Sequence, residues 1–201
     1  MIQPIRKDAR MNATATPERT ATVHWSDALS LDLDFMDETH REFIDLLAAI
    51  EVADDERVVA CFAAMIEHTE GHFGAEDRWM QDTHFSSSNC HSMQHNVILQ
   101  VLREGLRRGR EEGDLVLLRD LARELGVWFT QHAQSMDAAL ALHLRGVGYD
   151  AATSQVLRPE ALPQEAISGC GGSCIDVLLL LQTAAFISAE DQHTQRWQAE
   201  I

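Results

Sequence analysis

Apolar residues recur at intervals of three and four over most of this chain, which is the spacing of one buried stripe on an α-helix. This pattern predicts four helices, over about residues 37–51, 55–82, 89–110 and 115–145. Asp37 opens the first helix, and Asp54 or Asp55 caps the second. Gly113 and Asp114 separate the third helix from the fourth. Because the connections are short, the predicted fold class is all-α, an up-down-up-down four-helix bundle.

The segment before the first helix alternates apolar and polar residues from Leu29 to Phe35, a pattern typical of a strand. Since the sequence offers no partner strand, we expect residues 25–35 to form an extended arm laid over the bundle. The first 22 residues are polar and rich in threonine, and we expect them to be disordered. They contain no apolar run of signal-peptide length.

Each predicted helix carries a histidine on its apolar stripe. Metal-capable side chains occur in pairs four residues apart, His72 with Glu76 and His91 with His95, so each pair can bind one ion from one helix face. The stripe residues of this kind are His40, His72, Glu76, His91, His95 and His132. Burying them without partners would cost on the order of several kcal/mol each, which favours a shared metal centre.

The order and spacing of these residues resemble those of a known protein family. The motifs are D-E-T-H at 37–40, H-F-G-A-E at 72–76, H-S-M-Q-H at 91–95 and W-F-T-Q-H-A-Q-S-M-D at 128–137. In this order and spacing, over about residues 24–144, the chain resembles the haemerythrin family, specifically its bacterial single-domain members. The resemblance implies two iron ions joined by an oxo or hydroxo group. It implies that His91, His95 and His132 hold one iron, that His40 and His72 hold the other, and that Glu76 and Asp137 bridge the two.

The function that this resemblance implies is reversible binding of dioxygen, as a carrier, store or sensor, rather than catalysis. The alternative is a redox enzyme that uses the same centre on peroxide or nitric oxide. His68 lies one turn before His72, and we expect it to be a non-ligand, with an extra ligand or a proton relay as the alternatives. A zinc protease is excluded because Ser92 follows His91 where the H-E-x-x-H motif needs glutamate.

His132 and Asp137 pose a geometric problem because they are five residues apart. In a regular α-helix that spacing turns the second side chain about 140° from the first. If both are to reach one di-iron centre, a single wide turn with an i→i+5 bond is expected, and such turns occur at functional sites. We therefore predict a π-type bulge between Gln131 and Ala138. The alternative is that the aspartate reaches around from the helix edge without backbone distortion.

The charge and the cysteine content bear on the expected partners and location of the protein, not on its predicted fold. The chain has 16 Lys and Arg residues and 32 Asp and Glu residues, for a net charge of −16. This acidic charge disfavours nucleic acid and anionic lipid as partners. Four cysteines are too few and too scattered for a secreted disulfide framework, so we expect a cytoplasmic protein. The longest apolar run, residues 177–187, is about half of what a bilayer needs, and we expect no membrane span.

The sequence divides into three predicted segments: a disordered segment at 1–22, the di-iron bundle at 23–148, and a C-terminal part at 149–201. Residues 150–168 have the composition of a linker, with Pro159 and Pro163. Cys170 and Cys174 follow, and they could be idle, form a disulfide, bind metal or exchange thiols with a partner. The apolar run after them predicts a C-terminal helix that docks on the bundle, on a protein partner or on a second copy of the chain.

Overall fold

A computed structural model of the chain describes residues 23–85 and 90–167. Its helices are α1 Asp34–Val52, α2 Val58–Asp82, α3 Cys90–Glu111, α4 Leu115–His132 and α5 Ala138–Val147. A π turn, Ala133–Asp137, joins α4 to α5 without breaking the helical path. The four long helices pack in the order α1, α2, α3 and α4, and α4 returns to α1. The predicted all-α four-helix bundle is therefore confirmed.

The core of the bundle lies between these helices and is made of fully buried aliphatic and aromatic side chains. Phe43, Phe62, Leu118, Leu121 and Leu125 are all at most 1% exposed. Each such side chain stabilises the fold by about 1.5–3 kcal/mol relative to exposure. This core occupies one end of the bundle and leaves the middle to the polar stripe residues.

Two buried glycines set the distance between α3 and α4. A Cβ atom on Gly105 would lie 2.3 Å from Leu121 Cδ1, and one on Gly109 would lie 2.6 Å from Leu118 Cδ1. Both approaches are shorter than any van der Waals contact, so the leucines of α4 occupy the space that the glycines leave. The close approach brings the histidines of α3 within reach of those on α4.

The first helix begins three residues earlier than the sequence predicts. α1 starts at Asp34, and the amides of Met36 and Asp37 bond to the Leu33 carbonyl. Asp37 does not cap the helix, because its carboxylate is turned towards the arm. It accepts hydrogen bonds from Ser30 Oγ at 2.6 Å and from the Leu31 amide at 2.7 Å.

The arm itself is largely extended, with one 3₁₀ turn at Asp27–Leu29. Leu29 from that turn is buried in the main core. Arg41 of α1 lies over the ring of Trp25, with 4.1 Å between the guanidinium carbon and the ring centroid. The arm is therefore fixed to the bundle, as expected.

Residues 149–167 are packed against the bundle, although their composition predicts a linker. Strands β1 Tyr149–Asp150 and β2 Gln155–Val156 form an antiparallel hairpin, followed by a 3₁₀ turn at Pro159–Ala161. Tyr149 donates to Asp82 at 2.8 Å, and the Ile167 amide bonds to the His84 carbonyl at 3.1 Å. This segment joins a second apolar cluster at the α5 end of the bundle.

Several predictions concern residues outside the described part of the chain. They are the disordered segment at 1–22, the cysteines Cys170 and Cys174, and the C-terminal helix after them. Within the described residues, none of the helices combines the length and the apolar character that a membrane crossing requires.

Candidate metal centre

All seven side chains singled out in the sequence converge in the middle of the bundle and are buried. They are His40 on α1, His72 and Glu76 on α2, His91 and His95 on α3, His132 on α4, and Asp137 in the π turn. Their ligand atoms form two overlapping sets, within each of which all atoms lie within 4.8 Å of one another. The five-donor group is Glu76, His91, His95, His132 and Asp137, and the four-donor group is His40, His72, Glu76 and Asp137.

Glu76 belongs to both groups, and its two oxygens divide between them. Oε1 lies 3.1 Å from His72 Nε2, in the four-donor group. Oε2 lies 3.3 Å from His91 Nε2 and 3.2 Å from His95 Nε2, in the five-donor group. A carboxylate in this orientation presents one oxygen to each of two neighbouring ions.

Asp137 divides its two oxygens between the two groups in the same way. Its Oδ2 lies 3.3 Å from His40 Nε2, while its Oδ1 lies 3.0 Å from His91 Nε2 and 3.2 Å from His132 Nε2. The two carboxylates therefore stand side by side between the histidines of the two groups.

Many of these close contacts are not hydrogen bonds. Among the described residues, His40 Nε2, His91 Nε2, Glu76 Oε2 and both oxygens of Asp137 are buried and lack an aligned hydrogen-bond partner. An unpaired buried polar atom costs about 1–3 kcal/mol, more for a charged group. The atoms point towards shared space rather than at each other, which is the arrangement that a bound cation satisfies.

The electrostatics of the cluster keep its two carboxylates ionised. Burial raises the pKa of Glu76, but His72 and His91 overcome this and hold it well below its usual value. The pKa of Asp137 is likewise held well below its usual value, since His132 and His40 outweigh its burial. Burial lowers the pKa of His91, yet the nearby carboxylates of Asp137 and Glu76 raise it to about 10. Both carboxylates therefore remain ionised in the interior of the bundle.

A π turn brings the ligand atoms of His132 and Asp137 together, as predicted from their spacing. The turn spans Ala133–Asp137, within the predicted interval. The Ala138 amide bonds to the Ala133 carbonyl, the i→i+5 bond that defines a π turn. The predicted bulge is confirmed, and the alternative of an undistorted helix is wrong.

Two side chains outside these seven lie beside the outer nitrogens of two histidines. Gln94 is hydrogen-bonded to His132, whereas Asp77 lies close to His95 without a hydrogen bond. His132 Nδ1 lies 3.2 Å from Gln94 Oε1, and His95 Nδ1 lies 3.8 Å from Asp77 Oδ1. Ser92 Oγ in turn donates to Asp77 Oδ1 at 2.7 Å. Such partners orient imidazole ligands and set which nitrogen is protonated. No spacing rule identifies them, although both stand directly beside a ligand in the sequence.

Aromatic rings cover the five-donor group. Phe73 stacks on His95 with 3.8 Å between centroids and 4° between planes. Trp128 stacks on His132 at 4.3 Å. Phe73 and Trp128 are each 4% exposed, so this side of the site is closed by apolar surface.

His68 belongs to neither donor group among the described residues. Its Nε2 lies 3.2 Å from the Thr39 carbonyl, so the ring reaches from α2 across to α1. Its centroid is 6.3 Å from that of His72. This placement agrees with the expectation that His68 is a non-ligand. It does not agree with the alternative that His68 is an extra ligand.

Comparison with known proteins places these residues in context. The family model described as "Hemerythrin HHE cation binding domain" matches residues 31–142. The chain is 38% identical over 129 residues to "Bacteriohemerythrin" of Ralstonia nicotianae, covering 64% of this chain and 93% of that protein. It is 26% identical over 125 residues to "Bacteriohemerythrin" of Stenotrophomonas maltophilia, covering 60% of this chain and 80% of that protein. It is also 26% identical over 113 residues to "Myohemerythrin" of Sipunculus nudus, covering 56% of this chain and 86% of that protein. No solved structure matches significantly.

Proposed function

Because the chain belongs to the haemerythrin family, we propose that it is a non-haem di-iron protein that binds dioxygen reversibly, as a carrier, store or sensor. The observation that carries this proposal is the division of the two carboxylates. Each of Glu76 and Asp137 has one oxygen beside the histidines of the four-donor group and the other beside those of the five-donor group. Two ions placed in these groups would share both carboxylates.

The proposed ligand assignment follows these contacts. One iron would be held by His91, His95 and His132, the other by His40 and His72, with Glu76 and Asp137 bridging and an oxo or hydroxo group between the ions. Imidazole nitrogens and carboxylate oxygens suit iron, and the buried unpaired atoms of the cluster fit a pair of cations. The two ions would then differ by one protein ligand, and the four-donor side would keep a position for dioxygen.

When bound, an iron pair supplies two electrons that dioxygen can take up and give back. The chain itself supplies orientation and a dry site. Gln94 Oε1 can only accept, so His132 Nδ1 carries the proton and its Nε2 lone pair faces the cluster. Phe73 and Trp128 keep water away from the histidines of the five-donor group. The histidines of the four-donor group are also buried, His40 at 0% and His72 at 6% exposed. Exclusion of water favours reversible binding because proton access promotes loss of reduced oxygen species.

Reversible binding is favoured over turnover of peroxide or nitric oxide for the same reason. Catalysis on either molecule needs a proton donor within hydrogen-bond reach of the reacting atoms. His68, the titratable residue one turn from His72, belongs to neither donor group, and its Nε2 is engaged by the Thr39 carbonyl at 3.2 Å. We therefore propose binding rather than catalysis as the main activity.

The test is the iron content and the visible spectrum of aerobically purified protein, before and after dithionite and again after air. Two irons per chain, with bands that vanish on reduction under nitrogen and return in air, would agree with the proposal. Protein without iron, or bands that air does not restore, would refute it. Steady consumption of peroxide at more than one equivalent per chain would favour the enzyme instead.

A further inference from the structure

A pocket of about 280 Å³ opens on the surface between α1 and α2. Gly71, His72, Ala75 and Trp79 of α2 line it, together with Thr39 of α1. His68 and Glu67 complete the lining nearer the start of α2. Among the described residues, no member of the five-donor group lines this pocket.

The pocket leads to the four-donor group. His72 is one of its walls and a member of that group, and its side chain is 4% exposed. Thr39, another wall, directly precedes His40, the second histidine of the group. On the other half of the site, Phe73 and Trp128 stack on the histidines and are each 4% exposed. Under the proposed function, the half that would keep a position for dioxygen is the half that this pocket borders.

Two small residues one turn apart on α2, Gly71 and Ala75, line the pocket. Gly71 is exposed, and a Cβ atom added to it would meet nothing within 4 Å. No packing or turn therefore requires glycine at this position. A glycine inside a helix nevertheless costs about 1 kcal/mol relative to alanine. Because Gly71 lines the pocket together with His72, a larger side chain at position 71 would occupy part of this space.

The lining also indicates what kind of molecule would pass. Trp79, Ala75 and Gly71 present apolar or small surface, and Glu67 at the rim is exposed and disfavours anions. His68 forms a fixed wall, since its ring is bound to the Thr39 carbonyl across the groove. Among the lining residues there is no Lys or Arg to attract an anion. The chemistry fits a small uncharged molecule.

We propose that this pocket is the route by which a small uncharged diatomic molecule reaches the four-donor group, and that Gly71 keeps it open. The inference rests on the proposed function. An access route alters the rates of binding and release by the same factor and leaves the affinity unchanged. This property separates it from a residue that contacts the bound molecule.

The experiment compares Gly71→Leu with Gly146→Leu in the iron-loaded protein. Gly146 is the matched control. Like Gly71 it is helical and exposed, and a Cβ atom added to it would meet nothing within 4 Å. Unlike Gly71 it lies on α5 and does not line the pocket. Stopped-flow absorbance would measure dioxygen association and release. For Gly71→Leu we expect both rates to fall about tenfold, with unchanged affinity, iron content and helicity. Gly71→Ala should give a smaller decrease and Gly146→Leu none.

A second readout does not depend on iron chemistry. Crystals of the purified protein under xenon pressure should show xenon between Gly71 and Trp79 in the wild type and in Gly146→Leu, and none in Gly71→Leu. Unchanged dioxygen rates in Gly71→Leu would overturn the access route and leave the proposed function standing. A wild-type protein that holds xenon in the pocket and two irons, yet fails to bind dioxygen, would overturn the proposed function and this inference with it.

Discussion

His132 Nε2 and Asp137 Oδ1 lie 3.2 Å apart although the two residues are separated by five positions in the sequence. The π turn Ala133–Asp137 makes this possible, because one extra residue in the turn brings the two side chains into line. The same turn lets α5 continue along the path of α4. A local widening of one helix therefore supplies one of the two carboxylates of the site.

Deleting Gln134, an exposed residue of the π turn, should keep iron binding. The deletion leaves His132 and Asp137 four positions apart, and in a regular α-helix that spacing also places two side chains on one face. The measurement is iron per chain, with the melting temperature as the check on folding. Deleting Leu142, an exposed residue beyond the turn, is the control and should rotate the rest of α5 by about 100° and lower the melting temperature. Loss of iron from the Gln134 deletion would mean that the wide turn itself is required.

Replacing Glu76 by Gln should remove most of the iron. The amide nitrogen cannot serve as a ligand oxygen, so only one of the two ions could keep its contact with residue 76. Metal binding and folding are coupled, so the melting temperature should fall with the iron content. Glu67→Gln, an exposed change on the same helix, should alter neither quantity. A Glu76→Gln protein with two irons per chain would contradict the bridging role.

Gln94→Ala should weaken iron binding while leaving every ligand in place. The change removes the acceptor 3.2 Å from His132 Nδ1, so the ring loses its fixed orientation and tautomer. The loss of outer partners of this kind lowers metal affinity by about 10–100-fold. Competition with a coloured chelator would measure it. Gln100→Ala, an exposed change on α3, is the control, and equal affinities for the two variants would show that Gln94 has no positioning role.

If the bundle and the C-terminal part act separately, removing residues 168–201 should leave the oxygenated spectrum and the melting temperature unchanged. Removing residues 150–201 should keep the spectrum but lower the melting temperature by several degrees. The longer deletion takes away Val156, Leu162 and Ile167, which pack on the second apolar cluster. A loss of about 2 kcal/mol corresponds to roughly 4–8 °C for a chain of this size. If the shorter truncation loses the spectrum while remaining folded, the tail closes the site.

Much of the candidate site can be predicted from the sequence because helical spacing is a local property. His72 with Glu76 and His91 with His95 lie four residues apart, and that interval places each pair on one helix face wherever the helices pack. The π turn also follows from a spacing, once His132 and Asp137 are assigned to one centre. The bundle follows from the apolar stripes, since helices with one apolar face bury it against each other.

The errors have physical causes that involve contacts distant in sequence. Asp37 resembles a helix cap, but its carboxylate is bound by Ser30 and Leu31 of the arm, so the helix starts earlier. Residues 149–167 have the composition of a linker because their apolar residues are too sparse to show a period. They pack because α5 and the end of α2 present an apolar surface beside them.

The sequence by itself determined the four helices and six of the seven side chains of the cluster, because these depend on intervals along one chain. Asp137 and the wide turn before it followed from the resemblance to the haemerythrin family, which assigns His132 and Asp137 to one centre. Only the tertiary structure decided which oxygen of Glu76 and Asp137 faces which histidines, and that Gln94 is hydrogen-bonded to the outer nitrogen of His132. It also decided that the four-donor side borders a pocket while aromatic rings close the other. These features depend on how side chains of different helices pack, and no interval within one helix specifies the orientation of its neighbour.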